Sequence, residues 1–353
     1  MDFTPLDVKS SYSLLKSPTR ISDLVTTAKE RGYKALALTD ENVLYGAVEF
    51  YNAAKKAGIK PILGLRLVVA LNETDGTKLD LVFLAKNQRG YQHLMDLSTL
   101  QQTRKDKKAP LTVAQISPLL NELFIIIPPQ STVFSVLAQP TSILTELANL
   151  GDDDSVLLGV NSRLDDVQID TLQQLSKQLS LPLVGTSPVD YLNANDLFAS
   201  RVLQAIDAGV ELKDPTIEAE RRGQHYLHSK EQVIQDYKAK GLSAAAQKTV
   251  EVATLCNVEL QFRAPVLPHF KNQAGISSQQ YLRSLCIQGL KKRRVAPGKT
   301  IQQYQERLAM ELKIIHEMGF DDYFLIVWDV INFAHQQKIT TDPGRGSAAG
   351  SLV

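Results

Sequence analysis

Cysteine is nearly absent: Cys256 and Cys286 are the only two in 353 residues. A pair so far apart excludes a disulfide framework or a zinc knuckle and reads as small apolar residues in a reducing compartment. No apolar run approaches the length of a bilayer span, and Met1 to Asp7 lacks the basic-then-apolar order of a secretory leader. A soluble, cytoplasmic chain without membrane partners is expected. Excess charge is absent as well, with 39 Lys and Arg against 38 Asp and Glu for a net charge of +1, so the bulk numbers do not advertise nucleic acid. Histidine is scarce: none of the six forms a His-x-His pair near the N-terminus. His225 and His228 lie in an alternating segment, which sends them to opposite faces of an extended chain.

What remains is ordinary globular material for two or three domains. From Lys34 to Ser187 short apolar runs alternate with amphipathic stretches, the pattern of parallel strands joined by crossover helices. Strands are predicted at Ala35 to Thr39, Pro61 to Leu71, Asp80 to Ala85, Leu123 to Ile127, Val156 to Val160 and Pro182 to Gly185. Helices are predicted at Ile21 to Arg31, Ala47 to Ala57, Tyr91 to Gln101, Ser142 to Leu150 and Ile169 to Leu179. A closed or nearly closed βα barrel follows, and such barrels collect functional groups at the C-terminal ends of their strands. Asp40, Glu41, Arg66 and Asp190 fall at or near such positions.

Beyond Asp190 the pattern becomes helical, at Leu197 to Ala208, Glu231 to Lys240 and Ala244 to Leu255. Pro265, Pro268 and the polar Lys271 to Ser277 stretch make the best boundary, dividing the chain into 1–270 and 271–353. Ser278 to Arg293 and Ile301 to Met318 read as long amphipathic helices, the second opened by a Thr300-x-x-Gln303 capping box. Phe324 to Phe333 is apolar on nearly every face, which predicts burial between layers. Tyr323 and Trp328 then read as core, and Asp329 as a structural polar group. Two basic runs, Lys291 to Arg294 and Arg104 to Lys108, are either solvated faces or DNA contacts.

The last residues form a Gly/Ser-rich turn, Pro343-Gly344-Arg345-Gly346-Ser347-Ala348-Ala349-Gly350-Ser351. Its glycines permit positive φ and close approach of a ligand, its hydroxyls donate, and a helix starting at Ser347 would offer unpaired N–H groups to a phosphate. Arg345 adds a planar cation. The spacing and lysine of a Walker A loop are missing.

The run from Arg307 to Val353, with Met318-Gly319-Phe320, Tyr323-Phe324-Leu325-Ile326-Val327-Trp328-Asp329 and Pro343-Gly344-Arg345-Gly346-Ser347, resembles the start of the palm of bacterial DNA polymerase III alpha subunits. The N-terminal part resembles the PHP (polymerase and histidinol phosphatase) domain that opens the same subunits. That likeness rests on Leu6-Asp7-Val8-Lys9-Ser10, Ala37-Leu38-Thr39-Asp40, Gly46 to Phe50 and Gly58-Ile59-Lys60-Pro61-Ile62-Leu63-Gly64. The resemblance implies an α/β chain, a PHP-type distorted βα barrel followed by a mostly helical, truncated palm start, and an amino-terminal fragment of a template-dependent DNA polymerase. It implies that Arg345, Gly346 and Ser347 bind the incoming triphosphate, and that the carboxylates holding catalytic Mg2+ lie beyond Val353. The isolated fragment is then inactive. Its partners would be primer-template DNA, deoxynucleoside triphosphates, a sliding clamp, other replisome subunits and a proofreading exonuclease.

An active PHP domain has His-x-His, Asp-His, a Glu and a late His. The corresponding positions hold Asp7 and Lys9, Asp40 and Glu41, Arg66, and Asp190. An ammonium and a guanidinium cannot coordinate a metal, so this site is expected to be degenerate and metal-free, with Lys9 and Arg66 supplying the positive charge. The alternatives are a metal-dependent phosphoesterase or 3′-5′ exonuclease in the barrel, and a non-catalytic scaffold that docks a proofreading subunit.

Overall fold

A computed structural model of the chain describes residues 2–72, 78–106, 109–129, 131, 140–148, 151–152, 154–214, 217, 224–262, 266–272, 275–342 and 350–353. The chain divides into two compact units, Met1–Gln261 and Phe262–Val353. The break lies upstream of position 270, where the proline-rich stretch had suggested it.

The first unit is built on a curled mixed sheet. In chain order the elements are α1 (Ile21–Glu30), β1 (Ala35–Leu38), α2 (Ala47–Ala57), β2 (Lys60–Ala70), β3 (Lys78–Ala85), α3 (Gln88–Gln102), β4 (Leu111–Thr112), α4 (Val113–Ile116), β5 (Leu123–Ile127), α5 (Pro140–Ala148), β6 (Val156–Val160), α6 (Asp166–Leu179) and β7 (Leu183–Gly185). Three more helices follow: α7 (Leu197–Ala208), α8 (Lys230–Ala239) and α9 (Ser243–Leu255). Sequence periodicity explains them locally. In α1, Ile21, Leu24, Val25 and Ala28 are buried, the i, i+3, i+4, i+7 stripe of an amphipathic helix. A reciprocal capping box between Asp165 and Gln168 starts α6.

The strand order is β1-β2-β3-β5-β6-β7, with β4 beside β2. One expectation fails: β3 runs antiparallel to both β2 and β5, so the sheet is mixed rather than parallel. The cause is connection length, because 71–77 is too short for a crossover, which needs about a dozen residues. The barrel closes through the N-terminal segment. On one side the Ala37 amide donates to the Pro5 carbonyl (3.0 Å) and the Thr39 amide to that of Val8 (2.8 Å). On the other, the Lys9 amide donates to the Val189 carbonyl and the Val189 amide to that of Asp7, both at 2.9 Å.

Period-2 alternation sorts the sheet residues between two cores. Ile62, Val82, Leu84, Ile126, Leu157 and Val184 form the inner cluster, which Val252, Ala253 and Cys256 at the end of α9 plug. Leu63, Leu65, Phe83, Ile125, Ile127 and Leu158 face outward onto the helices. Burial pushes the Cys256 thiol up to about 12, the behaviour of a packing residue.

The second unit contains α10 (Ser278–Lys292), α11 (Ile301–Glu317) and α12 (Asp321–Gln336). Ser277 with Gln280, and Thr300 with Gln303, form capping boxes that start α10 and α11. Gly319 at φ 73° takes the left-handed conformation that lets the chain turn into α12. Leu282, Ile315 and Leu325 form a small core joined by Phe270, Tyr281 and Phe324. The expected burial of the Phe324–Phe333 run is observed only in part: Leu325 is buried, but Val330 is 62% and Phe333 60% exposed. Three helices enclose one narrow core, so only one face of α12 finds cover. Trp328 rests edge-on against Tyr281, whereas Tyr323, read from the sequence as core, is exposed.

Candidate functional site

The inner face of β2 carries Ile62, Gly64 and Arg66 in register, and that of β3 carries Asp80, Val82 and Leu84. Apolar residues fill the barrel up to this level, and charge begins directly above them. Asp7 and Lys9, two apart on the closing segment, come to the same place because period-2 alternation gives them one face.

Arg66 organises the cluster. Its Nη1 donates to both oxygens of Asp7, at 2.7 and 2.6 Å, and its Nε donates to Asp80 at 3.0 Å. A further short contact joins Nη2 to Asp80. Both Asp7 and Arg66 are buried. Burial opposes the guanidinium's charge, but Asp7 and Asp80 outweigh it and hold the group above its ordinary value. A second pair stands beside the first: Lys9 Nζ lies 2.9 Å from Asp190, and His225 Nδ1 lies 2.9 Å from the other Asp190 oxygen. Burial alone would raise Asp190, yet the Lys9 charge and the His225 hydrogen bond win and depress it below the usual carboxylate range. Lys9 is raised in turn, burial being outweighed chiefly by Asp190.

Of the six positions singled out in the sequence, Asp7, Lys9, Arg66 and Asp190 therefore meet in this network. Asp40 does not join it. Its buried carboxylate accepts from the Ser10 amide (2.7 Å), the Ser10 hydroxyl (2.8 Å) and the Ser13 hydroxyl (2.6 Å), pinning the 10–13 turn. Burial raises its pKa, and the serine donors offset part of that. Glu41 contributes backbone, its amide donating to Ser13 Oγ and its strand pairing with Arg66. Two partners escaped the sequence reading. Asp80 was visible as a lone acid in an apolar strand, but its diagonal approach to Arg66 depends on the antiparallel register. His225 reaches Asp190 only because the chain doubles back, the Asp190 amide donating to the His225 carbonyl at 2.8 Å.

The arrangement can hold the barrel mouth together by charge, but its donors do not suit a metal cluster. Arg66 occupies both Asp7 oxygens, and Lys9 and His225 divide those of Asp190. Among the described residues no group of three His, Cys, Asp or Glu side chains could hold a metal ion.

In the second unit, Glu311 is the buried anchor. It accepts from Arg307 Nε (2.5 Å), Ser351 Oγ (2.7 Å) and the Leu352 amide (2.7 Å). Burial works against its ionisation, yet these donors leave it below the ordinary carboxylate range. It thus fastens the chain at Ser351 and Leu352. Arg345, Gly346 and Ser347 lie outside the described residues.

The family models follow the same division. That of the PHP domain matches residues 5–133, and that described as the bacterial DNA polymerase III alpha NTPase domain matches residues 280–353. Across its full length the chain is 37% identical, over 360 residues, to the DNA polymerase III subunit alpha of Halalkalibacterium halodurans, covering 31% of that protein. Along its whole length the chain is thus similar to bacterial DNA polymerase III alpha subunits, with two domain models matched in order. The subunit alpha of Bacillus subtilis is 35% identical over 361 residues and that of Borreliella burgdorferi 32% over 377, and 32% of each is covered. The chain spans about a third of the length of the curated relatives it matches. Among solved structures, an amidohydrolase from Chromobacterium violaceum aligns at 13% identity and a TM-score of 0.37, covering 53% of this chain and 87% of that one. No helix among the described residues is long and apolar enough to cross a membrane.

Proposed function

We propose that the whole protein is a replicative DNA-directed DNA polymerase, and that residues 1–353 supply its PHP domain and the opening segment of its palm. The observation that carries this reading is the end-to-end alignment with DNA polymerase III alpha subunits, in which both domain types occur in order. In this reading Arg345, Gly346 and Ser347 bind the triphosphate of the incoming deoxynucleotide, and Glu311 anchors the chain that leaves them through Ser351 and Leu352. Mg2+, bound by carboxylates outside these residues, would stabilise the charge that develops in phosphoryl transfer. Primer-template DNA, a sliding clamp and other replisome subunits complete the assembly.

The barrel is a scaffold in this proposal. Asp7 and Asp190 are neutralised by side-chain cations, which supports a stabilising or docking role, for instance toward a separate proofreading exonuclease, over phosphoester hydrolysis. Primer extension tests the first reading. The whole protein is expected to extend a primed template, while residues 1–353 alone give no extension. Incorporation by the 353-residue chain would refute the assignment of chemistry to other segments. Chelator-sensitive release of nucleotides by the same chain would overturn the scaffold reading.

A further inference from the structure

The near-neutral net charge hides a strong local asymmetry. Between Glu259 and Glu306 there is no Asp or Glu at all, while eight lysines and arginines occur, five of them between Lys291 and Lys299. Those five are exposed, and none makes an ion pair among the described residues. A helix C-terminus accounts for Lys291 and Lys292, which close α10. It does not account for Arg293, Arg294 and Lys299, which follow the helix.

Within the same unit a groove of about 610 Å3 opens between α11 and the 350–352 segment, in the size range of pockets that hold a small organic ligand. Lys299, Tyr304, Arg307, Met310 and Leu352 are among its lining residues, with one acid, Glu306, beside the two cations. Arg307 spends its Nε–H on Glu311, which orients the side chain and leaves its forked end available, and the residue is 57% exposed. Cations for phosphates, an aromatic ring and an apolar floor are the parts that recognise an unpaired nucleotide strand.

We propose that this face binds a single strand of nucleic acid, its phosphates tracking Lys291 to Lys299 and Arg307 while one base stacks on Tyr304 in the groove. A strand fits better than a duplex because the ring can be reached only by an unstacked base. The proposal draws its place in a reaction from the polymerase reading. Strand binding is measured without nucleotide addition, so the two fail separately.

The test is fluorescence anisotropy of a labelled dT12 oligonucleotide with the 353-residue chain at 50 and 200 mM salt. The wild type is expected to bind, with affinity falling steeply as salt rises. A variant combining Lys291→Gln, Lys292→Gln, Arg293→Gln and Arg294→Gln should bind at least tenfold more weakly at 50 mM, and its log–log salt slope should be shallower by about 3. Tyr304→Leu should lose about tenfold with the slope unchanged. Arg104→Gln with Lys105→Gln, in the first unit, should bind as the wild type does. Circular dichroism confirms that each variant is folded. The proposal is overturned by no wild-type binding at 50 mM salt, by unchanged affinity in the four-site variant, or by an equal loss in the Arg104/Lys105 control. Tighter binding of duplex dT12·dA12 with no effect of Tyr304→Leu overturns the stacked strand.

Discussion

Replacing Arg66 with Met is the sharpest perturbation of the barrel. The guanidinium makes two hydrogen bonds to Asp7 and two to Asp80. The Asp7 side chain is 2% exposed and that of Asp80 26%, so the two carboxylates are not equally dependent on it. Asp80 can turn to water. Asp7 is left buried and without its guanidinium partner, since Lys9 is already held by Asp190. Removing one partner of a buried pair costs about 3 to 5 kcal/mol, or roughly 6 to 10 °C in Tm for a unit of this size. Urea denaturation followed by circular dichroism at pH 7 measures the loss. Adding Asp7→Leu to Arg66→Met should recover most of the stability. A single variant within about 1 kcal/mol of wild type, or a double variant no better than the single one, would refute the charge-pairing account.

Lys9→Met should cost about 3 kcal/mol at pH 7 by stranding Asp190. Asp190 is depressed, so its share of stability is present above the unfolded carboxylate value near about 3.9 and is lost as the pH falls below it; Lys9 is raised, so its share holds below about 10.4 and is lost above. The gap between wild type and variant, followed by denaturant titration across pH, should therefore be widest between those limits; a gap that does not shrink as the pH falls from about 4 to 2 would contradict the pairing. Gly64→Ala places a Cβ 2.6 Å from the Phe83 carbonyl and 2.7 Å from Thr39, and should destabilise the barrel by about 2 kcal/mol, read as a lower urea midpoint. Glu311→Leu removes the acceptor for Ser351 and Leu352, and should speed hydrogen exchange of the Leu352 amide at least tenfold without loss of helical circular dichroism; unchanged exchange would show that the tether is incidental.

Most of the elements were legible because their signals are local. The strands Leu123–Ile127 and Val156–Val160 and the helix Ala47–Ala57 have the bounds that apolar periodicity assigned, and Thr300 with Gln303 forms the capping box its spacing announced. That Lys9 and Arg66 could not themselves coordinate a metal was also readable, since it depends only on which side chains can donate a lone pair.

Pairing was not legible. Asp40, singled out from the sequence, turns to Ser10 and Ser13, while Asp80, which was not, shares Arg66 with Asp7. The residue types alone determined that the six predicted positions at the barrel mouth would hold both signs of charge, four acids and two cations. Which acid met which base was decided by the antiparallel register of β3 and by the closing segment at residues 5–9, because a salt bridge requires contact within a few ångströms and only the folded chain sets those distances.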